Sequence, residues 1–174
     1  MKTLSLPYVT NRVLKESDKK EGSLQYAVSN SILIIFTANG NNTKFHEIRK
    51  LQEKFQLDRK KVSFLYILLK EEDRPDGALD DHMNSIETKN IGMFGDIKDE
   101  NVNKVVASHY DFVINADLLP NIYSDFLLAK TKSNCKIGRF FDSHDKFYDL
   151  MIQTSEENDL EFYLNQVYHY IKQL

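Results

Sequence analysis

The two segments "SILIIF" and "KVSFLYILL" constrain this chain more than any others. Ile32 to Phe36 form an unbroken apolar run rich in β-branched residues and bounded by turn residues. Such a run suits a strand covered on both faces rather than one half exposed to water. Lys61 to Leu69 repeat the pattern. Between them Thr43 is placed to cap a helix, along which Phe45, Ile48, Leu51 and Phe55 recur at helical spacing. Strand, helix and strand of these lengths make a βαβ unit, whose two strands run parallel.

The rest of the chain extends the alternation. "KEEDRPDGALDDHMN" reads as a polar loop, and Ile91 to Phe94 as a short strand weakened by Gly92 and Gly95. Asp99 starts a short helix with Val102, Val105 and Val106 inside. A third buried strand spans Asp111 to Ala116. Pro120, whose missing N–H costs nothing in a first turn, opens a helix reaching about Lys132. "CKIGRFF" and "YDLMI" are further strands, so close together that only a short turn fits between them. Thr154-Ser155-Glu156-Glu157 reads as a capping box, ahead of a helix whose stripe is Leu160, Tyr163, Leu164, Val167, Ile171 and Leu174. The expected architecture is a Rossmann-like α/β three-layer sandwich with a mostly parallel central sheet. Residues 31–174 form one α/β domain, and residues 1–30 an arm or a short helix packed on it.

At 174 residues, such a domain buries roughly 70% of the surface its unfolded chain exposes. A net charge of -3, with basic residues scattered, makes nucleic acid an unlikely partner on phosphate-neutralisation grounds. The longest basic run, Arg59-Lys60-Lys61, is expected to be a solvated turn. One cysteine, Cys135, forbids an internal disulfide and reads as a buried structural thiol. With no apolar leader and no long apolar span, the expectation is a cytoplasmic protein without membrane contact. The sequon at Asn41 is then a chance match.

In an open parallel sheet, ligands sit beyond the carboxyl ends of the strands. Those ends supply Asn39, Gly40 and Asn41, then Asn115 and Asp117, then Gly138 and Arg139. A functional reading gives a small polar or anionic ligand, with Gly40 allowing close backbone approach and Arg139 supplying charge. The plainer reading, which the residue types favour, is turn chemistry, with Asp117 capping the helix that begins near Pro120.

Diagnostic motifs fail in turn. "TANGNNTK" lacks both G-x-G-x-x-G and the G-K-[ST] ending of a phosphate loop. The five histidines make no H-x-x-x-H pair, and no G-x-S-x-G elbow is present. "FDSHDKFYD" gathers Asp142, His144, Asp145 and Asp149 without ligand spacing and reads as a solvated turn. Tyr163, Tyr168 and Tyr170 read as core and interface packing. No catalytic residue, metal or cofactor is expected. The favoured function is a non-enzymatic binding or interaction domain, with a protein partner or a second copy meeting the last helix. A small-molecule enzyme or sensor is the alternative. An RNA- or ribosome-associated role has only Lys15, Lys19 and Lys20 behind it.

Two resemblances add to this. From about Asn84 to Tyr170, the order "IETKNIGMFGDIKDENVNKVV", "YDFVINAD", "LLAKTKSNCKIGRF" and "YDLMI" resembles an uncharacterised bacterial family, a domain of unknown function. That likeness implies a fold and a compartment but no reaction. "YDFVINADLLPNIYSDFLLAKTKSNCKIGRF" is similar to the "fDlvID", "s-l-l-a", "riGf" segment of heptosyltransferase-type glycosyltransferases. This second likeness implies one Rossmann-like half of a GT-B arrangement and a sugar or nucleotide ligand. Those enzymes carry an acidic base in the loop after the first strand, where this chain has Asn39-Gly40-Asn41, so a catalytically incomplete relative is implied.

Overall fold

A computed structural model describes residues 2–16, 25–40, 42–74, 83–154 and 159–174. Its centre is a six-stranded sheet of order β3-β2-β1-β4-β5-β6, with every pair of neighbours parallel. The strands are β1 (Ser31–Ala38), β2 (Lys61–Leu68), β3 (Met83–Glu87), β4 (His109–Asn115), β5 (Lys132–Arg139) and β6 (Leu150–Ile152). The helices are α1 (Lys2–Glu16), α2 (Asn42–Leu57), α3 (Glu100–Ala107), α4 (Ile122–Lys130) and α5 (Leu160–Ile171). The fold is therefore the expected Rossmann-like sandwich, with a sheet that is wholly parallel.

Alternation along β1 shows why its apolar run is unbroken. Ile32, Ile34 and Phe36 face a core shared with α2 and α5, whereas Leu33 and Ile35 face one shared with α1, α3 and α4. All five are essentially inaccessible to water. Fully burying side chains of this size is worth about 1.5–3 kcal/mol each, so β1 anchors both layers. α1 joins the second core through Leu6 and Val9, and Val9 meets Phe126 of α4 at the Gly95 turn. A β-carbon on Gly95 would collide with both Val9 and Phe126, and its φ is +80°.

Several expectations are corrected. The polar loop after β2 gives way at its end to the edge strand β3, in which Ile86 is buried. Ile91 to Phe94 is not a strand: Ile91 makes one isolated antiparallel bridge to Ile97, around a turn. Helix α2 begins at Asn42, which puts Thr43 inside its first turn. Helix α5 is capped by Asp159, which accepts from Phe162 N, rather than by the box at Thr154. Ser155–Glu157 of that box lie outside the described residues. A short turn between β5 and β6 would set them antiparallel. They run parallel instead, joined by the helix-free crossover 140–149, which buries Phe147 and Tyr148.

The basic run is a turn with Arg59 and Lys61 exposed as expected, and its middle residue departs from that reading. Arg59 has φ +61°, and its flanking bonds, Arg59 N to Gln56 O and Lys60 N to Phe55 O, close α2 as a Schellman motif. Lys60 is buried. Its Nζ donates to Tyr26 O and Ser29 O at 2.7 Å each and lies 4.4 Å from the centre of the Tyr26 ring. The polar cluster after β5 is also partly interior: His144 packs between the rings of Phe141 and Phe147 and reaches Asp125.

Candidate functional site

The strand order reverses between β1 and β4: the chain winds outward through β2 and β3, then returns to β4 beside β1. Past these two carboxyl ends, α2 leaves toward one face and α4 toward the other, so a crevice opens between them. A cleft of about 700 Å³ lies there, within the size range of small-molecule sites. Its wall combines Thr37 at the end of β1 and Asn39 just after it, Thr43, Lys44 and Glu47 of α2, the 117–121 loop after β4, and the start of α5 at Asp159 to Glu161.

The floor is built around Asp117. The β1–β4 ladder ends where Ala116 N donates to Ile35 O at 2.8 Å. One step on, the Asp117 carboxylate replaces a strand carbonyl, with Oδ1 accepting from Thr37 N at 2.8 Å. Its Oδ2 accepts from the Thr37 hydroxyl at 2.8 Å and from the Ser124 hydroxyl. Lys44 Nζ donates to Asp117 Oδ1 at 2.8 Å and to Thr37 O at 2.7 Å. Asp117 is 5% exposed and Lys44 18%, so the pair is buried on one side and open to the cleft on the other. A backbone N–H, two hydroxyls and an ammonium thus converge on one carboxylate.

A second layer fixes this loop from behind. Asn115 Oδ1 accepts from Asp117 N at 3.0 Å, and its Nδ2 donates to the Tyr148 hydroxyl at 2.8 Å. The Tyr163 hydroxyl donates to Asn115 O at 2.8 Å, and burial holds that phenol well above its usual range. Arg139 Nη1 donates to Leu118 O at 2.8 Å. A β-carbon on Gly138 would overlap the Tyr148 ring, so glycine there admits the ring that holds Asn115.

The sequence-derived candidates therefore separate. Asn39 and Asp117 line the cleft. Asn115 and Arg139 are buried behind it, and Gly138 serves packing. Gly40, at φ +67°, turns toward the β2 side, its N donating to Asp73 O at 3.2 Å. Asn41 lies outside the described residues. Asp117 is not the cap of α4: Asn121 is, accepting from Tyr123 N at 2.9 Å while its Nδ2 reaches Thr37 Oγ1 at 3.1 Å. Pro120 precedes that cap instead of opening the helix. Thr37, Lys44, Glu47, Asn121, Asp159 and Glu161 were not among the candidates. Asn121, a capping residue directly before an apolar helix, was the one with a readable signal.

The charge balance opposes an anion. Four carboxylates, Glu47, Asp117, Asp159 and Glu161, line the cleft against Lys44, whose charge Asp117 already matches. Arg139 points its donor at a backbone carbonyl behind the loop. Among the described residues, no group of three or more His, Cys, Asp or Glu is placed to hold a metal ion. No helix there is long and apolar enough to cross a membrane.

Comparison with known proteins places the whole chain in one family. The model described as "Family of unknown function (DUF6913)" matches residues 2–174, and the chain belongs to that family. No curated protein matches it.

Proposed function

Starting from membership of a family with no assigned reaction, we propose that the protein is a non-enzymatic binding domain. Its ligand is a small hydroxyl-rich or amine-bearing molecule without phosphate, taken into the cleft between β1 and β4. The observation that carries this reading is the cleft at the reversal point of the strand order, floored by the Asp117–Lys44 pair. Acceptors dominate its polar wall, matching ligand hydroxyl and ammonium donors. Leu118, Leu119, Pro120 and Leu160 offer an apolar side, with Leu119 67% exposed at the lip. The glycosyltransferase likeness of residues 110–140 makes sugars the first class to try. The likeness of residues 84–170 and the single buried thiol support a bacterial, cytoplasmic setting.

A thermal-shift panel of monosaccharides, nucleosides, polyamines, nucleoside diphosphates and inorganic phosphate tests the proposal. A true ligand at 100 times Kd adds about 2.7 kcal/mol, or roughly 5–11 °C for a domain of this size. The expected result is a shift with an unphosphorylated member, reduced by Asn39→Ala and by Lys44→Met. The largest shift coming from a phosphate compound, or shifts indifferent to both substitutions, would refute the ligand class. Turnover of any panel member would refute the non-enzymatic part.

A second reading, an interaction face on α5, is favoured by Phe162 and Tyr170, both exposed away from the buried stripe. A concentration-dependent mass by light scattering, abolished by Phe162→Ser with Tyr170→Ser, is its expected signature.

A further inference from the structure

Every acceptor position on the Asp117 carboxylate is taken from inside the protein. Oδ1 accepts from Thr37 N and Lys44 Nζ, and Oδ2 from the Thr37 and Ser124 hydroxyls. A carboxylate offers about four lone-pair sites, so these donors leave none for a molecule in the cleft. Lys44 is in the opposite position. It lines the cleft at 18% exposure, against 5% for Asp117. Two of its three N–H groups are used, on Thr37 O and Asp117 Oδ1, and the third remains for the cleft. Asn121, also bonded to Thr37, adds a second donor. One Nδ2 hydrogen goes to Thr37 Oγ1 while its Oδ1 accepts from Tyr123 N, which leaves the other Nδ2 hydrogen.

We propose that Asp117 sets the specificity of the cleft without touching a ligand. By matching the charge of Lys44 it makes that lysine a donor to an uncharged oxygen, a hydroxyl or a carbonyl, and turns phosphate away. This rests on the reading of the cleft as the ligand site and narrows its ligand class. Lys44 is the one cation among the described residues of the wall, so it is the group an anion would find if it were unmatched.

Three ligand chemistries separate on this floor. An ammonium has donors only and meets Lys44 as a like charge, so the amine-bearing class is excluded there. A phosphate can accept from Lys44, but its charge then faces that of Asp117 across one hydrogen bond. A hydroxyl suits both sides of the cleft. Its oxygen accepts from Lys44 or Asn121, and its hydrogen is free for an acceptor on the α5 side. On that side Glu47 is matched by Lys50 at 2.8 Å, and Asp159 Oδ1 accepts from Phe162 N. Glu161, with no hydrogen bond or ion pair among the described residues, is the acceptor left.

The test is a titration with inorganic phosphate at constant ionic strength, followed by the amide NMR shifts of Thr37, Lys44 and Asn121. The wild type should show no saturable binding. Asp117→Asn keeps the shape and leaves Lys44 unmatched. It should bind phosphate at least about tenfold more tightly, the effect of removing a like charge from hydrogen-bond range near a protein surface. Adding Lys44→Met to that variant should abolish the gain. Leu119→Lys, at a lip position 67% exposed, sets an unmatched ammonium in the same wall without disturbing the floor. It should gain phosphate binding as well, and it decides in place of Asp117→Asn if that variant does not fold. No gain in the deciding variant, or a gain in Asp117→Asn that survives Lys44→Met, would overturn the role of Asp117 and leave the unphosphorylated ligand class standing. Saturable phosphate binding by the wild type would overturn both together.

Discussion

Replacing Asp117 by alanine and by asparagine separates two roles the carboxylate plays, and the structure sets different magnitudes for each. Alanine strands Thr37 N inside the β1 end, where the carboxylate was its acceptor. It also leaves Lys44 with Thr37 O alone. The two hydroxyls can re-pair, since Thr37 Oγ1 and Ser124 Oγ are already 3.4 Å apart. An orphaned buried N–H costs about 1–3 kcal/mol, and breaking a buried ion pair from one side about 3–5 kcal/mol. Because Lys44 opens on the cleft, the expected total stays near ~3–5 kcal/mol. Asparagine can keep its oxygen toward Thr37 N and donate to the hydroxyls, so only the charge match with Lys44 goes, at about 1–2 kcal/mol. Equilibrium urea unfolding reads the difference: with a slope of about 2 kcal/mol/M, alanine should lower the midpoint by about 2 M and asparagine by under 1 M. Equal midpoints for the two variants, or a loss under ~1 kcal/mol for alanine, would refute the account of Asp117 as the organising acceptor of the cleft floor.

Four other outcomes follow from named contacts. Arg59→Gly should stabilise by about 1 kcal/mol in the same assay, since a β-carbon at φ +61° is strained. Lys60→Met should cost about 1–3 kcal/mol by taking the ammonium donor from Ser29 O, while Tyr26 O keeps the Ser29 N–H and hydroxyl; Lys61→Met, exposed one residue on, should stay within about 0.5 kcal/mol. Asp111 is pulled up by burial, but the N–H groups of Asn30 and Ser31 and the Ser31 hydroxyl outweigh that and hold it below its usual range. Its stabilisation is present above the ordinary carboxylate range and is lost as pH falls through its folded value, so the Asp111→Asn penalty seen at pH 7 should fade in acid melts. Burial pushes the Cys135 thiol up to about 12; labelling by a disulfide reagent at pH 8 should await unfolding, and fast labelling of the native protein would contradict that.

The layered fold was legible because β1, β2 and β4 are buried on both faces, and two-sided burial writes an unbroken apolar run into the sequence. β3 was not, because an edge strand buries little more than Ile86 and carries no such run. α1 stayed open between an arm and a packed helix for a related reason: among its described side chains only Leu6, Val9 and Thr10 are fully buried, with Val13 and Leu14 partly so, and Lys, Asn, Arg and Glu interrupt the stripe. The strand-end rule led to Asn39 and Asp117 because it depends on topology alone. Which polar groups face the cleft depends on side-chain direction. That is why Arg139 and Asn115 turned out to hold the loop from behind, and why Lys44, indistinguishable in sequence from a solvated helix lysine, was passed over. The reading of Asp117 as a cap failed because Asn121 sits one residue before the helix and does that job.

The packing of α1 against α4 has a consequence for biosynthesis. During translation α1 is made long before α4 and the Gly95 turn, the surfaces that cover Leu6 and Val9. At roughly 5–20 residues per second, the first helix waits several seconds with its apolar side uncovered. Over that interval β1 and β2 can already pair, so the nascent chain is a half-sheet trailing an unsatisfied amphipathic helix. A ribosome stalled before α4 would display that helix as a handle for holding chaperones, and completion of α4 would withdraw it.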